Sequence, residues 1–297
     1  MDLTGGATSQ PAVSRPSAVI LGTAQDGGYP QAGCRSPCCR NLNAGSAEAL
    51  HPACLAICEP ATGSRWMIDC TPHFPRQLTL LDSICPGDIP SFLLTHAHTG
   101  HYTGLTHLGN EVMGAREVDV FVLPLMKSFL ENNLPWSELA DRGNIILRPA
   151  FEGEPIELGS GLGVTPRLVP HRDEHSETAC YRVDGPGSSI LWLPDIDGWE
   201  GMSPSIEELI GEVDRAFLDG SFFSPGELPG RDMSSISHPL IQESIELFSG
   251  LEEETRRKIS FIHLNHSNPA IDPQGDAARE VRLAGHSIAR QGDQIEL

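Results

Sequence analysis

Three histidines at the end of one apolar segment are the residues of this sequence best suited to chemistry. His96 and His98 directly follow the predicted strand at residues 91–94, and His101 comes three residues later. Alternate residues of a strand share one face, so His96 and His98 can point the same way where the strand ends. His101 can return from the turn that follows. Imidazoles that converge in this way favour a transition-metal site.

Other side chains that can bind a metal also follow predicted strands. They are His171 and His175 after residues 163–169, Asp195 after residues 189–193, and His263 within the late strand at residues 259–264. Loops at one edge of a rigid sheet scaffold are where functional sites are usually built. Because each position has the same relation to a strand end, we expect these side chains to meet in one site.

The strands and helices that must position these metal-binding side chains can be predicted from the apolar pattern of the sequence. Strands are predicted at 17–22, 55–59, 65–70, 91–94, 118–122, 145–147, 155–158, 163–169, 179–183, 189–193, 215–218, 259–264, 287–289 and 294–296, and helices at 74–81, 125–132, 137–141, 205–213, 239–248 and 276–283. No composition break divides them, so we expect one α/β domain at 17–297, with sheets packed face to face and helices outside. Residues 1–16 predict a disordered or loosely attached tail.

Composition narrows the class of partner. The 297 residues include 40 acidic and 20 basic side chains, a net charge of −20, which argues against binding nucleic acid or an anionic membrane surface. No segment approaches the roughly 20 apolar residues of a membrane helix, and residues 1–16 lack the apolar core of a signal peptide. We therefore expect a cytoplasmic protein with a small-molecule substrate, in which the eight cysteines are thiols or metal ligands. A homodimer is left open.

The order of these ligands resembles that of the metallo-β-lactamase superfamily, over nearly the whole chain. The superfamily pattern His-x-His-x-Asp-His is met at His96, His98 and His101, with Gly100 at the position of its aspartate. The resemblance implies an αββα sandwich of two mixed β-sheets. It also implies two metal positions, which would be held by His96, His98 and His175 and by His101 and His263, with Asp195 bridging. His171 competes with His175, and we favour His175 because the following Ser176 and strand are similar to the superfamily's long-form phosphodiesterases.

Two families within the superfamily are similar in further detail. The coenzyme PQQ synthesis protein B family shares the stretch at residues 27–31 and the late segment at residues 262–265. The phosphoribosyl cyclic phosphodiesterases of phosphonate degradation share an early cysteine cluster and a late His-x-x-His. The second resemblance implies a structural zinc held by Cys34, Cys38, Cys39 and His266, where Cys38 substitutes for the family's middle cysteine, replaced here by Ser36. A Cys₃His set suits a closed zinc site.

The resemblance implies a metal-dependent hydrolase in which a metal-bound hydroxide attacks a phosphodiester or another small ester. Because Gly100 removes a carboxylate, we expect a weaker second metal, with Asp195 or Asp69 orienting the water instead. His171 and Arg172 are candidate substrate-binding residues, and His238 is a candidate proton donor to the leaving group. Zinc is expected, with manganese and iron as alternatives at the active site.

Two other functions remain open at this point. One is a role in quinone-cofactor biosynthesis with iron-dependent oxidative chemistry, which the similarity to PQQ synthesis protein B motivates. The other is a non-catalytic, metal-stabilised binding protein, which the incomplete second metal site motivates.

Overall fold

The first of two β-sheets contains the amino-terminal strands and the last strand of the chain. The computed structural model describes residues 14–297 except 41, 43, 44, 46, 47, 234 and 235. The strands of this sheet are β1 (Ser17–Gly22), β2 (Cys54–Glu59), β3 (Ser64–Ile68), β4 (Ser91–Leu93), β5 (Val118–Val122), β6 (Ile145–Pro149) and β14 (Gln294–Glu296). They lie in the order β14-β1-β2-β3-β4-β5-β6, antiparallel as far as β3 and parallel from β3 to β6.

The second sheet repeats this mixed plan. Its strands are β7 (Ile156–Gly159), β8 (Leu162–Leu168), β9 (Ala179–Asp184), β10 (Ser189–Leu193), β11 (Arg215–Asp219), β12 (Ile259–Ile262) and β13 (Ser287–Ile288). They lie in the order β13-β12-β11-β10-β9-β8-β7, antiparallel from β7 to β10 and parallel from β10 to β13.

Among the described residues the helices are α1 (Pro37–Arg40), α2 (Phe74–Ile84), α3 (Thr99–Tyr102), α4 (Pro124–Asn132), α5 (Trp136–Asp141), α6 (Ile206–Gly211), α7 (Ile241–Phe248), α8 (Glu253–Arg256) and α9 (Asp276–Leu283), with 3₁₀ turns at Thr103–Leu108 and Pro269–Ile271. Helices α2, α4, α6, α7 and α9 cover the outer faces of the sheets. No described helix has the length and apolar character needed to cross a bilayer.

Three apolar layers hold the sheets and helices together. Along β1, Ala18 and Ile20 pack between the sheets, against residues of the second sheet that include Trp192. Val19 and Leu21 point the other way, toward the layer shared with α2 and α4. A third layer joins the second sheet to α6, α7 and α9. Strands that are covered on both faces have continuous apolar sequences. The predicted αββα sandwich is confirmed.

Parallel strand directions bring the site-forming ends together. β3, β4 and β5 are parallel, and β1 shares their direction because it is antiparallel to β2, which is antiparallel to β3. In the second sheet β8, β10, β11 and β12 share one direction for the same reason. The carboxyl ends of these strands therefore collect at one edge of each sheet.

The predicted elements differ from the structure at their ends and in several short helices. The turn expected to carry His101 forms α3 and is followed by a 3₁₀ helix, α1 and α8 were not predicted, and the helix predicted to begin at 239 begins at Ile241. The predicted tail falls largely on residues 1–13, which lie outside the described residues. Of its last residues, Arg15 forms an ion pair with Glu296, and the Pro16 carbonyl accepts a hydrogen bond from the backbone of Leu297.

Candidate metal centre

The histidine loop is fixed by close backbone packing where β4 ends. His98 has extended backbone angles and begins α3, so His101 lies in the first turn of that helix. The Cys70 amide donates to the carbonyl of His101, and the Gly104 amide donates to the carbonyl of Cys70. A methyl group at Gly104 would lie 2.1 Å from the carbonyl oxygen of Thr71, so only glycine permits this approach.

Four side chains form the first candidate metal site. His96 Nε2 lies 2.8 Å from His98 Nδ1, which in turn lies 3.2 Å from His171 Nε2. The Asp195 carboxylate completes the group, with oxygens 3.4 Å from His96 Nε2 and 3.1 Å from His171 Nε2. Ligand atoms about 2.1 Å from a tetrahedral metal are separated by roughly 3.4 Å. The set therefore has the spacing of a four-coordinate site.

The preference for His175 over His171 is wrong as a description of this geometry. His171 is buried, and its Nδ1 lies 2.9 Å from an oxygen of Asp197, which orients the ring. His175 lies four residues farther along an exposed loop, where its ring packs on Phe129. The neighbouring Ser176 is turned inward instead, and its hydroxyl accepts a hydrogen bond from the Ala97 amide. This contact leaves His175 on the outer side of the loop.

A second group of four side chains shares Asp195. Its other members are His101, His263 and Asp26, and all their ligand atoms lie within 4.8 Å of one another. His101 Nε2 and His263 Nε2 lie 3.6 Å and 3.8 Å from Asp195 Oδ2. The same two nitrogens lie 3.3 Å and 3.4 Å from Asp26 Oδ1. His263 has a left-handed backbone (φ 64°), a conformation that residues seldom adopt except at turns and functional sites.

Sequence reasoning missed Asp26. The residue follows the predicted first strand by four positions, so it has the same relation to a strand end as the residues singled out from the sequence. That shared relation was the signal that could have identified it.

Buried atoms without hydrogen bonds show that these residues fit a metal. Among the described residues, His101 Nε2, His263 Nε2 and Asp195 Oδ1 are buried and have no hydrogen-bond partner. His171 Nε2 approaches Asp195 Oδ1 closely, but not in hydrogen-bonding geometry. An unpaired buried polar atom costs about 1–3 kcal/mol. Metal coordination would satisfy all three, with ligand types that suit zinc, iron and manganese.

The pKa shifts of these residues indicate which charge the centre stabilises. Burial lowers the pKa of His96 well below its ordinary value, and His101 lowers it further, although Asp195 opposes the shift. Burial alone would also lower the pKa of His101, but the carboxylates of Asp69 and Asp26 raise it well above the ordinary value. Burial opposes ionisation of Asp195, but the surrounding imidazoles hold its pKa well below its ordinary value. The centre therefore contains ionised carboxylates that stabilise positive charge.

Asp69 lies behind this centre and contacts His101 on the side away from the metal. The expectation that Asp69 orients the water is therefore wrong. Asp69 is completely buried and accepts hydrogen bonds from the backbone and hydroxyl of Thr95, while its other oxygen lies 2.7 Å from His101 Nδ1. A carboxylate bound to the far nitrogen of a metal-ligating histidine fixes the ring and its tautomer. Asp69 therefore positions His101 from the side opposite Asp26.

His238 lies beside the centre and is tied to a different carboxylate. Its Nδ1 lies 2.8 Å from Asp219 Oδ2 and 3.5 Å from Asp195 Oδ1. Burial lowers the pKa of His238, but the charge of Asp219 and its hydrogen bond outweigh that effect and raise the pKa to about 9. The ring is therefore cationic at neutral pH, with Nε2 as the nitrogen that Asp219 does not engage.

A cavity of about 360 Å³ adjoins His238. Two arginines, Arg172 and Arg231, line it together with Gln25, Ser237 and Asn265. Both arginines are exposed, and His171 lies in the metal centre rather than on the substrate side. Cationic groups beside a metal centre are suited to binding a phosphoryl group.

The expected cysteine site is also brought together. Cys34 Sγ lies 3.9 Å from Cys38 Sγ, and His266 Nδ1 lies 3.6 Å from the sulfurs of Cys38 and Cys39. A zinc–sulfur bond of about 2.3 Å in a tetrahedral site separates two sulfurs by roughly 3.8 Å. These four side chains therefore have the composition and spacing of a closed Cys₃His site.

Comparisons with known proteins identify the family and the fold. Residues 64–264 match the family described as "Beta-lactamase superfamily domain". Coenzyme PQQ synthesis protein B of Methylobacterium nodulans is 24% identical, over 94% of this chain and 99% of the relative. The fold is similar to that of Zn(2+)-bound PqqB from Methylobacterium extorquens, with a TM-score of 0.79 at 19% identity over 95% of this chain and 100% of that one. A diphosphatase of the PhnP family superposes with a TM-score of 0.68 at 21% identity, covering 96% and 98%. The chain therefore belongs to the beta-lactamase superfamily and has the metallo-β-lactamase fold.

Proposed function

We propose that this chain is a metal-dependent hydrolase that acts on a phosphodiester or another small ester. The observation that carries the proposal is the position of Asp195 between two sets of imidazoles. One of its oxygens lies 3.4 Å from His96 Nε2 and 3.6 Å from His101 Nε2. A carboxylate shared in this way is suited to bridging two metal ions.

Each residue around the centre has a distinct task in this proposal. Divalent metals held there would supply Lewis acidity and lower the pKa of a coordinated water toward about 7. Arg172 and Arg231 bind the anionic phosphoryl oxygens of the substrate. His238 donates a proton to the leaving oxygen, and Asp219 keeps its ring oriented and cationic. Asp69 holds a proton of His101 on Nδ1, so Nε2 is the nitrogen that would lose its proton and bind metal.

We assign a structural zinc to the cysteine site. His266 follows His263 by three residues, and the Gln25 amide donates to the carbonyl of Leu264 between them. A zinc at Cys34, Cys38, Cys39 and His266 would fasten the early cysteine segment to this loop. It would therefore stabilise the wall of the metal centre without taking part in the reaction.

The similarity to a diphosphatase of the PhnP family supports phosphoester chemistry, whereas the relatives identified by sequence favour a second candidate function. Because proteins named for coenzyme PQQ synthesis align over nearly the whole chain, a role in quinone-cofactor biosynthesis with iron at the same residues is the alternative. The cytoplasmic location and the homodimer stay predictions.

Metal content and turnover distinguish these functions. Protein purified without a tag is analysed for metals and assayed with bis-p-nitrophenyl phosphate, alongside His96→Ala and the matched variant His175→Ala. Zinc or manganese, with turnover lost in His96→Ala and retained in His175→Ala, supports the hydrolase. Iron with oxygen uptake would favour the oxidative role. Absence of turnover, of oxygen uptake and of any metal beyond the cysteine site would contradict both and leave a binding protein.

The proton donor is tested with two leaving groups. His238→Gln should slow hydrolysis of a 2′,3′-cyclic nucleotide, which has an alkoxide leaving group, by about 10²–10⁴-fold. It should slow hydrolysis of bis-p-nitrophenyl phosphate much less, because nitrophenolate leaves without protonation. Equal losses with both substrates would contradict the assignment.

Arg172→Ala should raise KM for both substrates, because it removes a cationic side chain that binds the phosphoryl oxygens. The control Arg148→Ala, a substitution of an exposed arginine paired with Asp119, should leave KM unchanged.

A further inference from the structure

Asp26 occupies the space that a side chain at position 100 would need. A methyl group at Gly100 would lie 2.4 Å from Asp26 Cγ, 2.6 Å from its Oδ1 and 2.7 Å from its Cα. Real side chains do not approach this closely. Since one of the contacted atoms is the Cα, rotation of the Asp26 side chain would not remove the clash. A side chain at position 100 and the observed position of Asp26 are therefore mutually exclusive.

The carboxylate of Asp26 is placed where the second group of ligands needs one. Its Oδ1 lies 3.3 Å from His101 Nε2 and 3.4 Å from His263 Nε2, two buried nitrogens that have no hydrogen-bond partner among the described residues. Asp195 is the only other carboxylate in this four-residue group. Without Asp26, the second site would have three protein ligands and one negative charge.

The chain segment around Asp26 is anchored to the strand end that bears His263. The Gln25 amide donates to the Leu264 carbonyl, and the Leu264 amide donates to the Thr23 carbonyl. The Gly28 amide closes the turn on the Gln25 carbonyl, with a left-handed backbone at Gly28 (φ 67°). These backbone bonds fix Asp26 against the same loop that holds its histidine neighbour. The carboxylate is consequently part of a preorganised site.

We propose that Asp26 is the carboxylate ligand of the second metal and substitutes for the aspartate that the superfamily pattern places at position 100. The ligand is supplied from the end of β1 rather than from the histidine loop, and Gly100 provides the space for it. The second site then has four protein ligands, Asp26, His101, Asp195 and His263, and is not the weakened site that Gly100 alone suggested. This inference rests on the proposed metal centre.

Metal titration tests the proposal without relying on activity. Metal-depleted full-length protein is titrated with Zn²⁺ against a chromogenic chelator, and Co²⁺ absorption reports the ligand number at each site. Asp26→Asn, which keeps the shape but removes the charge, should weaken the second active-site Zn²⁺ by at least about tenfold and leave the first unchanged. Unchanged affinity of the second metal in Asp26→Asn would overturn the proposal.

An exchange of the two residues provides the sharper test. Gly100→Ala alone should lose second-site affinity because its methyl group displaces Asp26 and adds no ligand, as should Asp26→Gly alone. The double variant Asp26→Gly/Gly100→Asp should recover the affinity, because the carboxylate returns to the same volume from the other side. A folded double variant that binds no better than Asp26→Gly would count against the exchange. If the unaltered protein binds no active-site metal, the proposed function fails, and that result is distinct from two bound metals that Asp26→Asn does not affect.

Discussion

The substitution Asp69→Asn isolates the contribution of a residue that does not touch the metal. Asparagine has the same shape and tolerates the left-handed backbone found at Asp69 (φ 71°). Its oxygen can still accept the hydrogen bonds from Thr95. Its amide group, however, would face His101 Nδ1 and cannot accept a proton from it. His101 must then lose this partner or change tautomer and turn a protonated Nε2 toward the metal.

The size of the effect follows from that single lost interaction. A hydrogen bond to a charged group contributes about 1.5–3 kcal/mol, which corresponds to roughly 10–150-fold in affinity. Substitution of residues that support metal-ligating histidines usually costs about 10–100-fold. We therefore expect Asp69→Asn to weaken the second Zn²⁺ by about 10–100-fold. The effect on the first site should be smaller, because Asp69 reaches that site only indirectly, through the Thr95 hydroxyl that lies 2.9 Å from His96 Nδ1.

Chelator competition measures this change directly, and thermal unfolding checks that the variant is folded. The matched control is Asp119→Asn, a substitution of a partly exposed aspartate on β5 that pairs with Arg148. It should bind both metals as the unaltered protein does. If folded Asp69→Asn bound the second Zn²⁺ with unchanged affinity, the argument that Asp69 positions His101 would be refuted.

Three further predictions each compare a substitution with a control variant or with the unaltered protein. His171→Ala should remove the first active-site metal in a metal-content measurement, whereas His175→Ala should retain it. Cys39→Ser should lower both the zinc content and the melting temperature, whereas Cys180→Ser, in the core, can lower only the melting temperature. Burial, with neighbouring positive charge, lowers the pKa of His51 to about 4 from its ordinary value near 6.5. The folded state therefore disfavours protonation, and stability present above pH 6.5 is lost as the pH falls toward 4. Between pH 7 and pH 5, the free energy of unfolding of His51→Gln should therefore fall by about 2 kcal/mol less than that of the unaltered protein, as measured by urea unfolding at both pH values. An equal fall in both proteins would contradict this prediction.

Strand ends were predictable because apolar runs stop where polar, functional residues begin. The runs before His96, Asp195 and His263 end within a residue or two of the strands in the structure, and the doubly covered strands follow from their continuous apolar character. Pattern and residue type were therefore enough for the sandwich and for most members of the candidate site.

The choice between His171 and His175 depended on packing that no local pattern contains. Both histidines stand in the same polar loop. His171 turns inward because its Nδ1 contacts the carboxylate of Asp197. His175 stays outside because the neighbouring Ser176 is held inward by the hydrogen bond from the Ala97 amide. These partners are distant in sequence, so spacing within the loop could not rank the two histidines.

Asp26 was missed for a different reason. Gly100 appears in the sequence as the absence of a ligand, and the residue that takes its place is 74 positions earlier. Only the folded chain shows that their volumes overlap. A departure from a family pattern can thus indicate that a ligand has moved to another segment, rather than that it has been lost.

An anomalous difference map at the zinc edge, from crystals of the full chain grown with Zn²⁺, would locate the metals directly. We expect two peaks that share the Asp195 carboxylate, one beside His96, His98 and His171 and the other beside Asp26, His101 and His263, with a third peak at the cysteine site. A map with no peak in contact with Asp195 would contradict this expectation.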